Sequence, residues 1–60
     1  MVCLIVYDSD GDIITYPRLI NLIVQQDNVL CFTYIDALGC IITETYTLVG
    51  EDYFKIIRYF

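Results

Sequence analysis

The chain has no histidine and no tryptophan, one proline, three glycines and only three basic residues, Arg18, Lys55 and Arg58. Each shortage removes a class of function. Without histidine, Ser-His-Asp and Cys-His nucleophile systems are excluded, and a zinc site loses its commonest nitrogen ligand. Three bases against eight acids, a net charge of −5, cannot neutralise a run of phosphates. Direct nucleic-acid binding is therefore not expected, nor is attachment to an anionic membrane. The glycines stand apart, so no Gly-rich phosphate loop can form. Cys3, Cys31 and Cys40 are odd in number and include no C-x-x-C pair. That pattern is no disulfide framework and fits a reducing, cytoplasmic setting. Met1 leads directly into VCLIVY with no basic segment or small-residue cleavage site, and Asp8 breaks the apolar run. Neither a signal peptide nor a membrane span is expected.

What is abundant is apolar surface. Of 60 residues 58% are hydrophobic, with six Tyr and three Phe. Residues 1–60 make one small domain, and such a chain buries only about 60% of its unfolded surface. Its interior is too small for that many apolar side chains. The simplest cover is a second copy, so a homodimer or higher oligomer is expected.

The organising stretch is NVLCFTYIDALGCIITETYTL, Asn28 to Leu48. Two runs rich in Val, Ile, Thr, Phe and Tyr flank Asp36-Ala37-Leu38-Gly39-Cys40, which has the chemistry of a type I turn followed by a left-handed residue. Gly39 accepts positive φ without a Cβ clash, and the Asp36 carboxylate can cap the turn. This pairs Asp36 with Cys40, Tyr34 with Ile42, Leu30 with Tyr46, Ile35 with Ile41 and Thr33 with Thr43. One face then carries Leu30, Phe32, Tyr34, Ile42, Tyr46 and Leu48, with Glu44 its single charge, and reads as core. The other carries Val29, Cys31, Thr33, Ile35, Ile41, Thr43, Thr45 and Thr47. Shifted back 28 positions, Cys3, Asp8, Gly11, Ile13, Ile14 and Thr15 match Cys31, Asp36, Gly39, Ile41, Ile42 and Thr43. The echo predicts a second hairpin on the same plan.

Around these, Val2 to Tyr7 reads as a strand buried on both faces and Ile13 to Tyr16 as its partner, ended by Pro17. Arg18 to Gln26 fits a helix through Leu19, Ile20, Ile23 and Val24, or an alternating strand. Its β-branched content and the following Asp27-Asn28 favour a strand closed by a two-residue hairpin loop. Gly50-Glu51-Asp52 reads as a turn. Tyr53 to Phe60 also fits either form, composition favouring a strand whose Lys55 and Arg58 suit an exposed edge. The expected fold is all-β: an antiparallel meander of about five or six short strands, a small sandwich or barrel completed by dimerisation.

No constellation for catalysis emerges. Asp8, Asp10 and Asp12 resemble the opening of a calcium loop, but an EF-hand needs Gly at position six and Glu at position twelve. Here those positions hold Ile13 and Leu19, so an acidic turn is the better reading. Glu44 has no partner carboxylate at catalytic spacing and is expected near the sheet rim or beside Arg18, Lys55 or Arg58. Cys3 and Cys31 read as small core residues, and Cys40 as accessible but without a base to activate it. No cofactor or metal is implied. Tyrosines give large contact area at low entropic cost. Tyr16, Tyr46, Tyr53 and Tyr59, with Glu44, Asp8, Asp10 and Asp12, are the candidate interaction surface.

The ordered segments YDSDGDII, INLIVQQDNVLCFTYID, LGCIITETYTL and DYFKII resemble small accessory proteins encoded by bacteriophages. Those open on a YD-x-x-G-x hairpin and close on a strand-turn-strand of the form FTY-x-D-x-x-G…T-x-TY. Ala37-Leu38, where polar turn residues are usual, and the three cysteines depart from that pattern. The resemblance implies a non-enzymatic protein of the infected host's cytoplasm that binds a host factor such as a defence component. Its acids would suit a partner with a basic surface. Two other readings compete: a sponge holding a small molecule or nucleotide between subunits, and a structural subunit of a larger assembly.

Overall fold

Two copies of one turn build the frame. In the computed structural model, which describes residues 1–59, the Asp36 N–H donates to the Cys40 carbonyl (3.0 Å) and the Gly39 N–H to the Asp36 carbonyl (3.0 Å). The Asp36 carboxylate accepts from the Leu38 and Cys40 N–H groups, each at 2.9 Å. Asp8 repeats the set. Its N–H reaches the Asp12 carbonyl (3.0 Å), its carbonyl accepts from Gly11 (3.2 Å), and its carboxylate accepts from Asp10 (2.9 Å) and Asp12 (2.8 Å). Gly39 and Gly11 sit at φ 84° and 91°, where a β-carbon would be strained. The 28-residue echo is thus a repeated turn, bond for bond.

Because Asp36 fixes two turn N–H groups, Asp36→Ala should destabilise the chain by about 1–2 kcal/mol, and Asp36→Asn by less. Urea midpoints of the two variants check this. Equal losses would mean that the carboxylate charge, not its acceptor geometry, holds the turn.

Six strands follow in chain order: β1 (Val2–Tyr7), β2 (Ile13–Tyr16), β3 (Leu19–Gln25), β4 (Val29–Ile35), β5 (Ile41–Thr47) and β6 (Tyr53–Arg58). All pairings are antiparallel, in two three-stranded sheets ordered β2-β1-β6 and β3-β4-β5. The β4–β5 register is the one the turn dictates: Tyr34 opposes Ile42, Leu30 opposes Tyr46 and Thr33 opposes Thr43. The two ambiguous stretches are strands. Tyr53–Arg58 pairs with β1, and its expected last residue, Phe60, lies outside the described residues.

Three details differ from the sequence-based expectation. The order is not a simple meander, since β2 and β3 lie in different sheets and β6 returns to pair with β1. The β3–β4 loop has three residues, not two: Asp27 and Asn28 both take φ 61°, but Gln26 also leaves the ladder and Gln25 opposes Val29. That register sets Leu22 opposite Phe32 and Asn21 opposite Thr33. A two-residue loop would have turned Asn21 onto the core face, at the cost of desolvating its amide. Finally, β1 is not evenly buried on both sides; Leu4 and Val6 are fully enclosed on one, while on the other Cys3 is buried but Ile5 and Tyr7 are only half-buried.

The core draws on both sheets. Leu4 and Val6 of β1 meet Leu30, Phe32 and Tyr34 of β4, with Ile14, Tyr16, Leu19, Leu22, Ile42, Tyr46, Leu48 and Phe54 packed around them. Pro17-Arg18 links β2 to β3, with Arg18 at φ 51°. The Leu48–Asp52 segment links β5 to β6.

Candidate interaction surface

The expected surface residues divide into three groups. Tyr16 and Tyr46 are half-buried against the core. The Tyr16 ring lies 4.6 Å from that of Phe32 and 5.1 Å from that of Tyr34. Tyr16 lies opposite Leu4, and Tyr46 opposite Leu30, so register turns both inward. Glu44 shares this inner face. It meets no expected base; the Tyr34 hydroxyl donates to its carboxylate at 3.0 Å.

This inner cluster raises the tyrosine pKa values above the ordinary 10.0. For Tyr34 the causes are burial, then the hydrogen bond and charge of Glu44, with smaller contributions from Tyr16 and Asp36. Burial again leads for Tyr16, followed by the charges of Glu44 and Tyr46. Tyr46 is raised by burial and by the acids Asp52, Asp8 and Asp12. A phenolate here would lose water and face negative charge.

The acidic turn forms the second group. Asp8 uses its carboxylate within its own turn, while Asp10 and Asp12 are exposed. Asp52, which the sequence marks only as a turn residue, joins this end of the molecule to the β5–β6 connection. It accepts from the Ser9 N–H (2.8 Å) and the Val49 N–H (3.0 Å). Its pKa is lowered chiefly by the Val49 bond, against the opposing effect of desolvation, with Ser9 adding to the lowering. No group of three or more metal-ligating side chains occurs among the described residues.

Tyr53 and Tyr59 make up the third group, and both are exposed. Tyr53 stacks on Tyr7, centroids 4.6 Å apart and planes 9° from parallel, and the Lys55 ammonium lies 5.6 Å from the Tyr7 ring centre. The backbone of Tyr59 continues the β1–β6 ladder by bonding to Met1.

Sequence reasoning missed the aliphatic share of the surface. Ile13, Ile23, Leu38, Ile41, Val49 and Ile57 are exposed, as are Val24 and Ile56, although register turns those last two toward the core. The signal was present, since β1, β3 and β6 carry apolar residues at both odd and even positions. Cys31, expected inside, is half-buried beside Ile23 and Thr45 on the outer face, while Cys3 is buried and Cys40 exposed. No pocket forms among the described residues, and none of their helices is long and apolar enough to cross a membrane.

No protein-family model matches this chain, and no curated protein or solved structure matches it either.

Proposed function

We propose that the chain works by binding, as a small acidic homodimer without enzymatic activity. One observation carries this reading: twelve large apolar residues are exposed among the described residues, against six that form the buried core. Exposed apolar surface in such proportion to the core is a usual mark of an interface. A second copy would complete the fold, the two sheets of each chain closing as a small sandwich or barrel whose open sides face the partner.

Beyond itself, the natural partner is a protein with a basic surface, toward which a charge of −5 steers the chain. The resemblance to phage accessory proteins casts this partner as a host factor, such as a defence component, met in the host cytoplasm. Native mass spectrometry of gently purified protein tests the reading. It predicts a two-chain mass with nothing added. A discrete added small molecule would instead establish a sponge.

A further inference from the structure

Among the described residues, the four sheet edges are unequally guarded against pairing. Strand β2 has four residues and stops at Pro17. Strand β3 is irregular between Leu19 and Asn21. Strand β6 carries Lys55 and Arg58. Short length, proline, bulges and basic side chains all discourage a foreign strand from docking. The remaining edge, β5, runs seven residues in unbroken register with β4 and contains no proline, lysine or arginine. Its only charge, Glu44, points to the inner face, itself a guard, but a single one already held by the Tyr34 hydroxyl.

The hydrogen-bond phase shows what that edge offers. Asp36 bonds to Cys40 and Leu48 bonds to Asn28 across the β4–β5 pair, so even-numbered backbone groups of β5 turn toward β4. The N–H and C=O groups of Ile41, Thr43, Thr45 and Thr47 therefore point outward, where β5 has no paired neighbour among the described residues. Their side chains stand on the outer face, and none is charged.

We infer that β5 is the dimer seam, pairing antiparallel with β5 of a second copy to join two three-stranded sheets into one of six. This rests on the homodimer reading above and names its surface. The excess of exposed apolar residues selects a second copy as the occupant, and charge placement the direction. The Thr47 end leads into the Glu51-Asp52 turn with its two acids, whereas the Ile41 end adjoins a turn with one acid, Asp36, whose carboxylate already accepts the Leu38 and Cys40 N–H groups. Antiparallel pairing sets each copy's more acidic end beside the other's less acidic end and brings exposed Val49 toward exposed Leu38. A parallel arrangement would set acid beside acid. With outward groups only at odd positions, the two-fold axis can fall at Thr43, Glu44 or Thr45. The Glu44 choice places two carboxylates directly opposite and is disfavoured. An axis at Thr45 instead sets Glu44 opposite Tyr46 of the other copy, and one at Thr43 sets it opposite Ile42. Threonine and isoleucine then line the seam, good cross-strand partners for one another.

Thr45→Pro tests the seam, because the Thr45 N–H points away from β4 and its loss removes no bond within the chain. At concentrations where the variant still pairs, circular dichroism should be unchanged, while sedimentation should show the dimer weakened by about a hundredfold. Should that variant fail to fold, Thr43→Lys places a charge on the same edge and decides the matter. In the wild type, amide exchange should protect the Thr43 and Thr45 N–H groups along with the inward groups of Ile42 and Glu44. A dimer that survives both substitutions with Thr43 and Thr45 exchanging freely overturns the β5 seam and leaves the homodimer reading standing. A wild-type monomer at every concentration overturns both. A dimer in which a different protein's strand covers β5 overturns the choice of a second copy.

Discussion

Phe32→Ala should leave the chain largely unfolded at room temperature. Phe32 is the largest of the fully buried side chains; it lies at the centre of β4 with Leu22 and Glu44 on either side. Truncating such a residue costs about 3–5 kcal/mol through lost burial and the cavity left behind. A chain of this length has about 3–9 kcal/mol of stability in total. The removed ring also leaves Tyr16 without its nearest aromatic neighbour. Phe32→Leu keeps most of the volume and should remain folded, at a cost below about 2 kcal/mol. Near-ultraviolet circular dichroism and urea midpoints separate the two variants. A midpoint for Phe32→Ala within about 1 kcal/mol of the parent would show that the core lies elsewhere.

The second large effect is alkaline unfolding. Tyr16, Tyr34 and Tyr46 all have raised pKa values in the folded state, against an ordinary value of 10.0 in the unfolded chain. A raised value means that the folded form holds its proton more tightly, so this stability is fully present below pH 10. It is lost as pH climbs from there through the raised folded values. Three such groups on one inner face should make the loss steep, with Glu44 opposing each phenolate that forms nearby. Unfolding followed by circular dichroism, with tyrosinate absorbance recorded in parallel, should show the share of absorbance due to Tyr16, Tyr34 and Tyr46 appearing together with unfolding above pH 10. Tyr34→Phe removes one titrating group and should move that transition upward, even though Glu44 loses its hydrogen-bond donor. Complete tyrosinate absorbance, from all six tyrosines, at the ordinary pH in a chain still folded would contradict the buried cluster.

How much of this was legible in the sequence follows from which interactions are local. The Asp36 turn and the β4–β5 register are set within a few residues by one carboxylate and one glycine, and the Asp8 copy repeats the pattern. Both could be read directly. The β3–β4 loop could not, because Asp27 and Asn28 take positive φ in either a two- or a three-residue loop. Keeping Asn21 off the core, a tertiary matter, decides between them. The pairing of β6 with β1 joins Arg58 to Val2, and nothing local in either strand announces it. The division into two sheets depends on that same contact.

The candidate surface was read less well for a related reason. Which face of β2 points inward depends on its pairing with Leu4, so Tyr16 was placed outside although its ring packs on Phe32. Likewise, sequence alone offers Glu44 only the sheet rim or Arg18, Lys55 and Arg58, while register delivers the Tyr34 hydroxyl. The exposed aliphatic residues escaped notice because a strand apolar on both faces reads as buried until the sheet is seen to lack a covering layer. Ile13 and Ile57, on the outer face of the β2-β1-β6 sheet, show the point.

The most direct test of the account is whether stability depends on concentration. Urea midpoints of the unmodified chain should be measured from nanomolar to high micromolar protein. If folding and pairing are linked, mass action raises the midpoint steadily as concentration rises. That is the predicted result, and it would show that the exposed apolar surface is covered by a second copy. A midpoint constant across the whole range would mean that one chain holds this fold alone, contradicting the claim on which the functional reading stands.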